Sequence, residues 1–243
     1  MIRLILGIIA ILFFLVFSII LIPIEWIIGK IAPDRVDKSR LRIIQGFLAI
    51  LLFICGTKVT VIGRDRIPKD RAVVYAVNHR SMFDILVTLR YWPSMTGYIS
   101  KKEWEKVPLL SWWIRWMHGL FLDRENIREG LKTILTAIEI VKSGISMAVF
   151  PEGTRNRGED EGVLLPFHEG SFKIATKSGA PIIPVALCHT SQCFEDHFPR
   201  VKAAHVILEY GEPVIHAELT GDDKKFVGKY VQKQIEDMIA KNR

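Results

Sequence analysis

The chain has 243 residues, 49% of them hydrophobic and 24% charged, with a formal net charge of +7. This composition predicts one medium-sized domain plus a small accessory segment, and it argues against disorder. The basic balance favours anionic lipid surfaces or phosphate-bearing ligands. Because the sequence lacks zinc-finger spacing, an RNP-type aromatic motif and a long basic run, we expect no nucleic-acid partner.

The N-terminal part of the chain is strongly apolar. Leu4 to Ile24 contains no charged residue, and a helix of this length is about 30 Å long, enough to cross a bilayer core. A second apolar stretch, Ile43 to Cys55, is too short to span upright. It predicts an interfacial or re-entrant helix, or one packed on the first. We therefore divide the chain into a membrane-associating two-helix segment, residues 1–55, and a second domain, residues 56–243.

Charge and cysteine usage predict where that second domain lies. Only Arg3 precedes the apolar run, whereas five basic residues follow it. If the run spans the membrane, this asymmetry places residues 56–243 on the cytoplasmic face of the cell membrane. Three cysteines without C-x-x-C spacing also favour a reduced compartment. The sequence leaves open whether the first helix spans the bilayer or lies in one leaflet.

From Gly56 onward, short β-rich runs alternate with helical ones, which predicts an α/β domain with a mixed, largely parallel sheet flanked by helices. Functional sites in such sheets gather where strands end in loops. The predicted strands are Val59–Val61, Ala72–Val77, Thr96–Ser100, Leu120–Leu122, Ser146–Phe150, Ile182–Leu187 and Val206–Tyr210. The predicted helices are Met82–Arg90, Leu109–Met117, Arg128–Lys142, Ser171–Lys177 and Lys224–Lys241.

A histidine and an aspartate stand at the first predicted strand-to-helix turn. In the run Asn78 to Asp84, His79 lies in the turn and Asp84 on the first turns of the helix. A carboxylate in this place holds the imidazole in one tautomer, and the other ring nitrogen is free to take a proton from a substrate hydroxyl. The alternative is a capped helix with a solvated histidine and aspartate.

A second motif follows a later predicted strand. Phe150-Pro151-Glu152-Gly153-Thr154-Arg155 forms a predicted rigid loop that presents Glu152, Thr154 and Arg155. The planar guanidinium of Arg155 suits phosphate, and Glu152 is expected to pair with an Arg or Lys. An ordinary charged turn is the alternative.

Together these blocks resemble the glycerolipid acyltransferase family, specifically its bacterial 1-acylglycerol-3-phosphate acyltransferases. Three further stretches are similar to blocks of that family: Gly119–Arg124, Phe167–Ala175 and Ala180–Val185. The resemblance covers roughly residues 56–215. Two positions depart from the pattern. His118 stands where the family usually has glycine, and Asn156 stands where it often has serine.

The resemblance implies a reaction and a set of roles. His79 is the general base and Asp84 orients it, while the free hydroxyl of lysophosphatidic acid attacks the thioester of acyl-CoA or acyl-carrier protein to give phosphatidic acid. Backbone donors near Gly153 or at the start of the helix after His79 are expected to hold the oxyanion. No metal, cofactor or prosthetic group is required. The expected substrate-binding residues are Lys101, Arg124, Glu152, Gly153, Thr154 and Arg155.

Other readings remain open at this stage. The acceptor can be glycerol 3-phosphate or another lysophospholipid, and Lys101 can lie in a solvated turn. A non-catalytic membrane adaptor has no reason to keep both His79 and Asp84. A hydrolase lacks support because the sequence has no G-x-S-x-G elbow. The tryptophans concentrated between Trp104 and Trp116 suit interfacial anchoring, an acyl-chain groove or plain core packing.

Overall fold

The computed structural model describes residues 1–123 and 126–243. Its first two elements are helices α1 (Ile2–Ile31) and α2 (Pro33–Cys55). The two helices run antiparallel, because Gly7 of α1 approaches Leu51, whereas Gly29 approaches Val36. Both helices are longer than expected from the apolar runs. Proline at the first position of a helix is well tolerated, so α2 begins at Pro33 and its amphipathic first half buries Val36 and Leu41.

Seven strands follow and form a single sheet. The order across the sheet is β1-β7-β6-β2-β5-β3-β4. Neighbouring strands are parallel except for β6 and β7. The expected mixed, largely parallel sheet is therefore confirmed. The strands are β1 (Thr57–Ile62), β2 (Val74–Val77), β3 (Thr96–Lys101), β4 (Leu120–Leu122), β5 (Ser146–Val149), β6 (Ile182–Cys188) and β7 (Ala204–Tyr210).

Helices cover both faces of the sheet. Successive side chains of β2 alternate between two cores: Tyr75 and Val77 face one, and Val74 and Ala76 face the other. The helices after α2 are α3 (Phe83–Tyr91), α4 (Leu110–Trp116), α5 (Ile127–Lys142), α6 (Lys173–Ser178), α7 (Gly221–Lys225) and α8 (Val227–Asn242). Helices α2, α3 and α4 contribute to the first core, and α5, α6 and α8 to the second.

The apolar N-terminal helix packs along the body but leaves most of its surface exposed. In the part of the chain that the structure describes, α1 is the one helix long and apolar enough to cross a membrane by length and composition. Only three of its residues are buried: Gly7, Ser18 and Glu25. Helix α2 instead contributes Leu48, Leu51 and other residues to the first core. The division between residues 55 and 56 stays a prediction.

Polar contacts at Ser18 and Glu25 attach α1 to the rest of the fold. The buried indole N–H of Trp113 donates to Ser18 Oγ at 2.8 Å, and Ser39 Oγ donates to Glu25 Oε1 at 2.7 Å. Plain packing is therefore the correct reading for Trp113, which is 2% exposed. Trp104 and Trp112 are exposed, so they remain available for interfacial anchoring.

In the segment before β4, a histidine stands where the family usually has glycine. His118 has φ +55°, the left-handed region that favours glycine. Its Nε2 lies 2.8 Å from Asp37 Oδ2 of α2, so the side chain joins this turn to the N-terminal hairpin. At the next position, a Cβ on Gly119 would come within 2.7 Å of Ile114 O. The left-handed backbone that favours glycine therefore falls at His118, whereas the lack of space for a side chain falls at Gly119.

Candidate active site

The first motif lies at the carboxyl edge of β2. Asn78 exchanges two hydrogen bonds with Leu187 of β6, which fixes the end of the strand. His79 Nδ1 lies 2.8 Å from Asp84 Oδ2. The same oxygen accepts the backbone N–H of Arg80 at 2.7 Å and of Ser81 at 2.8 Å. The expected proximity of His79 and Asp84 is therefore confirmed.

This geometry sets the tautomer of His79. Asp84 is fully buried, and its Oδ2 already accepts two amides at the start of α3, so the same oxygen is the acceptor in the contact with His79. Nδ1 then carries the proton, and Nε2 is the acceptor. The His79 side chain is 15% exposed, and within the described residues no hydrogen bond to its Nε2 is found. The Phe150 ring stacks on the imidazole at 4.2 Å between centroids.

The second motif meets the first because β5 is paired with β2. Ala76 is in register with Val149, so the loops that follow the two strands are neighbours. Glu152 Oε1 accepts the backbone N–H of His79 at 2.6 Å, and Oε2 accepts that of Leu165 at 2.9 Å. Burial raises the pKa of Glu152, and these two hydrogen bonds oppose the rise.

The expectation that Glu152 pairs with an Arg or Lys is wrong. Within residues 1–123 and 126–243, its carboxylate meets no cation, and both oxygens accept from the backbone. Charged residues close together in a loop predict an ion pair when only the sequence is considered. The structure instead buries this carboxylate and uses it to join three segments of backbone: His79, Leu165 and the motif itself.

The rest of the second motif forms a tight turn. Gly153 has φ +71°, and its N–H donates to Phe150 O at 2.9 Å. A Cβ at this position would approach the His168 ring to 3.1 Å, so glycine suits both the conformation and the space. Thr154 is exposed. Arg155 Nη1 lies 3.2 Å from Glu195 Oε1, and the side chain of Arg155 is 35% exposed.

Of the two remaining predicted cations, Lys101 lies within the described residues. Lys101 is the exposed last residue of β3, which runs parallel to β5 and ends at the same edge. The next residue, Lys102, lies 3.0 Å from Asp123 Oδ2. Arg124 lies outside the described residues. The structure thus places Lys101 at the edge that carries both motifs.

Arg80 and Asn156 also hold the site together, a role that the sequence pattern does not predict for either residue. The buried Arg80 donates to the carbonyls of Gly158 at 2.5 Å and Asp160 at 3.2 Å. Asn156, the departure from the family serine, donates from its backbone N–H to His79 O at 2.7 Å. Its amide side chain also binds Val163 O and Gly158 N–H. Arg80 and Asn156 therefore hold the loop after Arg155 against the histidine turn.

Some of the amides expected to form an oxyanion hole are already occupied. The N–H groups of residues 79–84 donate to Glu152, Asp84, Glu195 or Ser81. The N–H of Gly153 donates to Phe150 O. The amides at the start of α3 and the N–H of Gly153 itself are therefore not free, and an oxyanion role for the other amides near Gly153 stays a prediction.

Comparisons with known proteins agree with this geometry. Residues 58–188 match the Acyltransferase family model. The 1-acyl-sn-glycerol-3-phosphate acyltransferase of Haemophilus influenzae is 32% identical over 84% of this chain and 83% of its own. The yeast (Saccharomyces cerevisiae) enzyme of the same name is 29% identical over 79% of this chain. The match spans 62% of its own length, less than two thirds of it.

A solved structure is similar over nearly the whole chain. It is the crystal structure of the 1-acyl-sn-glycerophosphate (LPA) acyltransferase PlsC from Thermotoga maritima. The TM-score is 0.82 at 27% sequence identity, and the match covers 98% of this chain and 95% of that one.

A histidine oriented by a buried carboxylate, at the edge of a mostly parallel sheet, is an arrangement that can take a proton from a hydroxyl. The matched family model and the Haemophilus relative make the assignment specific. This chain belongs to the acyltransferase family.

Proposed function

We propose that this protein transfers an acyl group from a thioester to the free hydroxyl of lysophosphatidic acid, making phosphatidic acid for phospholipid biosynthesis. The observation that carries the proposal is the 2.8 Å contact between His79 Nδ1 and Asp84 Oδ2. The names of the relatives support lysophosphatidic acid as the acceptor. The donor is acyl-CoA or acyl-carrier protein.

In the proposed reaction His79 Nε2 takes the proton of the acceptor hydroxyl while its oxygen attacks the thioester carbon. Asp84 stabilises the imidazolium that forms. The tetrahedral adduct then collapses, the carbon–sulfur bond breaks, and the imidazolium returns the proton to the leaving thiolate. An ester and a thiol result. Because a thioester is already reactive toward a deprotonated hydroxyl, the proposal needs no metal or prosthetic group.

In this proposal, cationic side chains bind the phosphate of the acceptor. Arg155 keeps donors in addition to its contact with Glu195, and Lys101 is exposed at the end of β3. Arg124 is retained as a phosphate ligand in the proposal on the strength of its motif. Thr154 and Gly153 shape the loop beside them. Glu152 acts as a positioning residue, since it holds the backbone of His79.

We also propose that α1 binds the membrane without crossing it. The helix packs along α2 over its length, and α2 itself belongs to the core beneath β1 and α3. A spanning α1 would draw α2, with Lys38, Arg40 and Arg42, into hydrocarbon, which is costly. Insertion of the exposed apolar face of α1 into one leaflet avoids that cost. The body then faces the cytoplasm, where thioester donors are made.

The first experiment compares the purified, detergent-solubilised wild type with the His79→Ala variant. Each receives a long-chain acyl-CoA and lysophosphatidic acid, and thiol and phosphatidic acid are followed together. Equal formation of both products by the wild type, and loss of both in the variant, is expected. His205→Ala serves as a matched control, because His205 is exposed on β7, two strands away from β2 in the sheet, and contacts Thr60.

Other outcomes separate the rival reactions. Thiol release without phosphatidic acid indicates hydrolysis or another acceptor. Preference for glycerol 3-phosphate in a parallel reaction moves the assignment to that substrate. If acyl-CoA gives no reaction, acyl-carrier protein is supplied as donor. Full activity of His79→Ala contradicts the proposed base.

A further inference from the structure

Glu195 lies at the site but outside the matched family region, which ends at residue 188. It begins a short turn, Glu195–His197, after β6. Its Oε2 accepts the hydroxyl of Ser81 at 2.5 Å. Its Oε1 accepts the backbone N–H of Met82 at 2.9 Å and contacts Nη1 of Arg155 at 3.2 Å. One carboxylate therefore joins the start of α3 to the proposed phosphate ligand.

Glu195 restrains the Arg155 side chain but occupies only part of its guanidinium group. A guanidinium has five N–H donors in a fixed fork, and Glu195 contacts one nitrogen of it. No other hydrogen bond of this guanidinium is found among residues 1–123 and 126–243, and the Arg155 side chain is 35% exposed, so its remaining donors can reach a phosphate. Glu195 is itself fixed by Ser81 and Met82, so it holds the arginine at a defined place beside His79.

We propose that Glu195 is a positioning residue that holds Arg155 for the phosphate of the acceptor. This inference rests on the proposed function, and it goes beyond the two sequence motifs by adding a residue from a third segment. Its chemistry is a charge-assisted hydrogen bond that fixes the orientation of a flexible cation before the substrate arrives. Loss of that order raises the concentration of phosphate-bearing acceptor needed for binding.

The test compares Glu195→Ala and Glu195→Gln with Asp196→Asn. Asp196 is a matched control because it lies in the same turn and contacts only Ser191 among the described residues. We expect Glu195→Ala to raise the KM for lysophosphatidic acid about tenfold. The KM for acyl-CoA should stay unchanged, as should both constants in Asp196→Asn. Glu195→Gln, which keeps the shape and loses the charge, should give a smaller rise.

A double-mutant cycle separates positioning from a general structural effect. If Glu195 acts through Arg155, its removal has no further effect on the acceptor KM in an Arg155→Ala background. Additive effects, or an equal rise in both KM values, overturn the inference. A fall in the acceptor KM of Glu195→Ala also overturns it, because Glu195 would then compete with the phosphate for Arg155.

A measurement independent of turnover keeps this inference distinct from the proposed function. Loss of Glu195 should speed amide hydrogen exchange at Met82, whose N–H it accepts, whereas Asp196→Asn should not. An unchanged exchange rate at the Met82 amide in the Glu195 variant would contradict the contact between Glu195 and Met82. If the wild type makes no phosphatidic acid, the proposed function is wrong, and so is the proposed role of Glu195 in acceptor binding. The exchange result then still decides whether Glu195 holds the start of α3.

Discussion

Glu152 Oε1 lies 2.6 Å from the backbone nitrogen of His79, across 73 positions of the chain. This contact joins the loop after β5 to the loop after β2. The proposed base is thus held on two sides, through its ring by Asp84 and through its backbone by Glu152. Preorganisation of this kind keeps a proton acceptor in place before the substrate binds.

The Asp84→Asn variant should fold but turn over slowly. An asparagine oxygen can still accept the amides of Arg80 and Ser81, but it carries no charge to stabilise the imidazolium. We expect kcat to fall roughly 10²- to 10⁴-fold, with a melting temperature close to that of the wild type. Steady-state kinetics and a thermal melt measure the two effects. A kcat within a factor of about two of the wild type would sink the orienting role.

Glu152 should leave a pH signature in stability. Because burial raises its pKa in the folded state, the folded protein binds more protons than the unfolded chain between the ordinary and the raised value. This contribution to the free energy of unfolding is present in full below the ordinary pKa. It is lost as the pH rises through the raised one. Across this range the stability of the wild type, relative to that of Glu152→Gln, should therefore fall with rising pH, and melts of both proteins measure it. A difference independent of pH contradicts the assignment.

The turn before β4 offers a matched pair of variants, His118→Gly and His118→Ala. Both lose the contact with Asp37, but only alanine keeps a Cβ in the left-handed conformation. We expect the glycine variant to be more stable than the alanine variant by about 1 kcal/mol. Chemical unfolding in detergent measures the difference. Equal stability would show that this turn relaxes to another conformation.

Ser18 should matter for the docking of α1. Its hydroxyl accepts the buried indole N–H of Trp113. Ser18→Ala leaves that donor without a partner, which costs about 1–3 kcal/mol. The control is Ser143→Ala, which removes an exposed hydroxyl contact to Ile140 O at the end of α5. Thermal melts should show the larger loss for Ser18→Ala, and the reverse order would contradict the importance of the Trp113 contact.

Membrane binding should depend on the outer face of α1. Phe13 and Val16 are 71% and 64% exposed, so Asp substitutions there leave the core intact but oppose insertion into lipid. We expect the double variant to stop co-sedimenting with phosphatidylglycerol vesicles. Leu131→Asp with Leu135→Asp is the control, since both leucines are exposed on α5, across the sheet. Retained binding of the α1 variant would contradict this role of the helix.

A topology measurement distinguishes insertion into one leaflet from a spanning helix. The three native cysteines are buried, so a cysteine introduced at the exposed Ile2 is the selective target of a membrane-impermeant thiol reagent. In vesicles carrying the protein on the outside, we expect this cysteine to be labelled from the outside. Labelling only by reagent enclosed inside the vesicles would place the N-terminus across the bilayer and overturn insertion into one leaflet.

The sequence by itself determined the features that depend on neighbours along the chain. Five positions separate His79 from Asp84, and a strand-to-helix turn brings them together whatever lies beyond it. The apolar run of α1 and the alternation of strands and helices were equally local signals. Even so, α2 began ten residues earlier than its apolar run, because the packing of Val36 and Leu41 was not evident in the pattern.

Only the tertiary structure decided how the motifs meet. The register of β2 with β5 placed Glu152 under His79, and the turn after β6 brought Glu195 to Met82 across 113 positions. A glutamate in a loop carries no local mark of whether it will cap a helix, pair with an arginine or face solvent. Its partner is set by which strands lie side by side, and that order follows from burying both faces of the sheet at once.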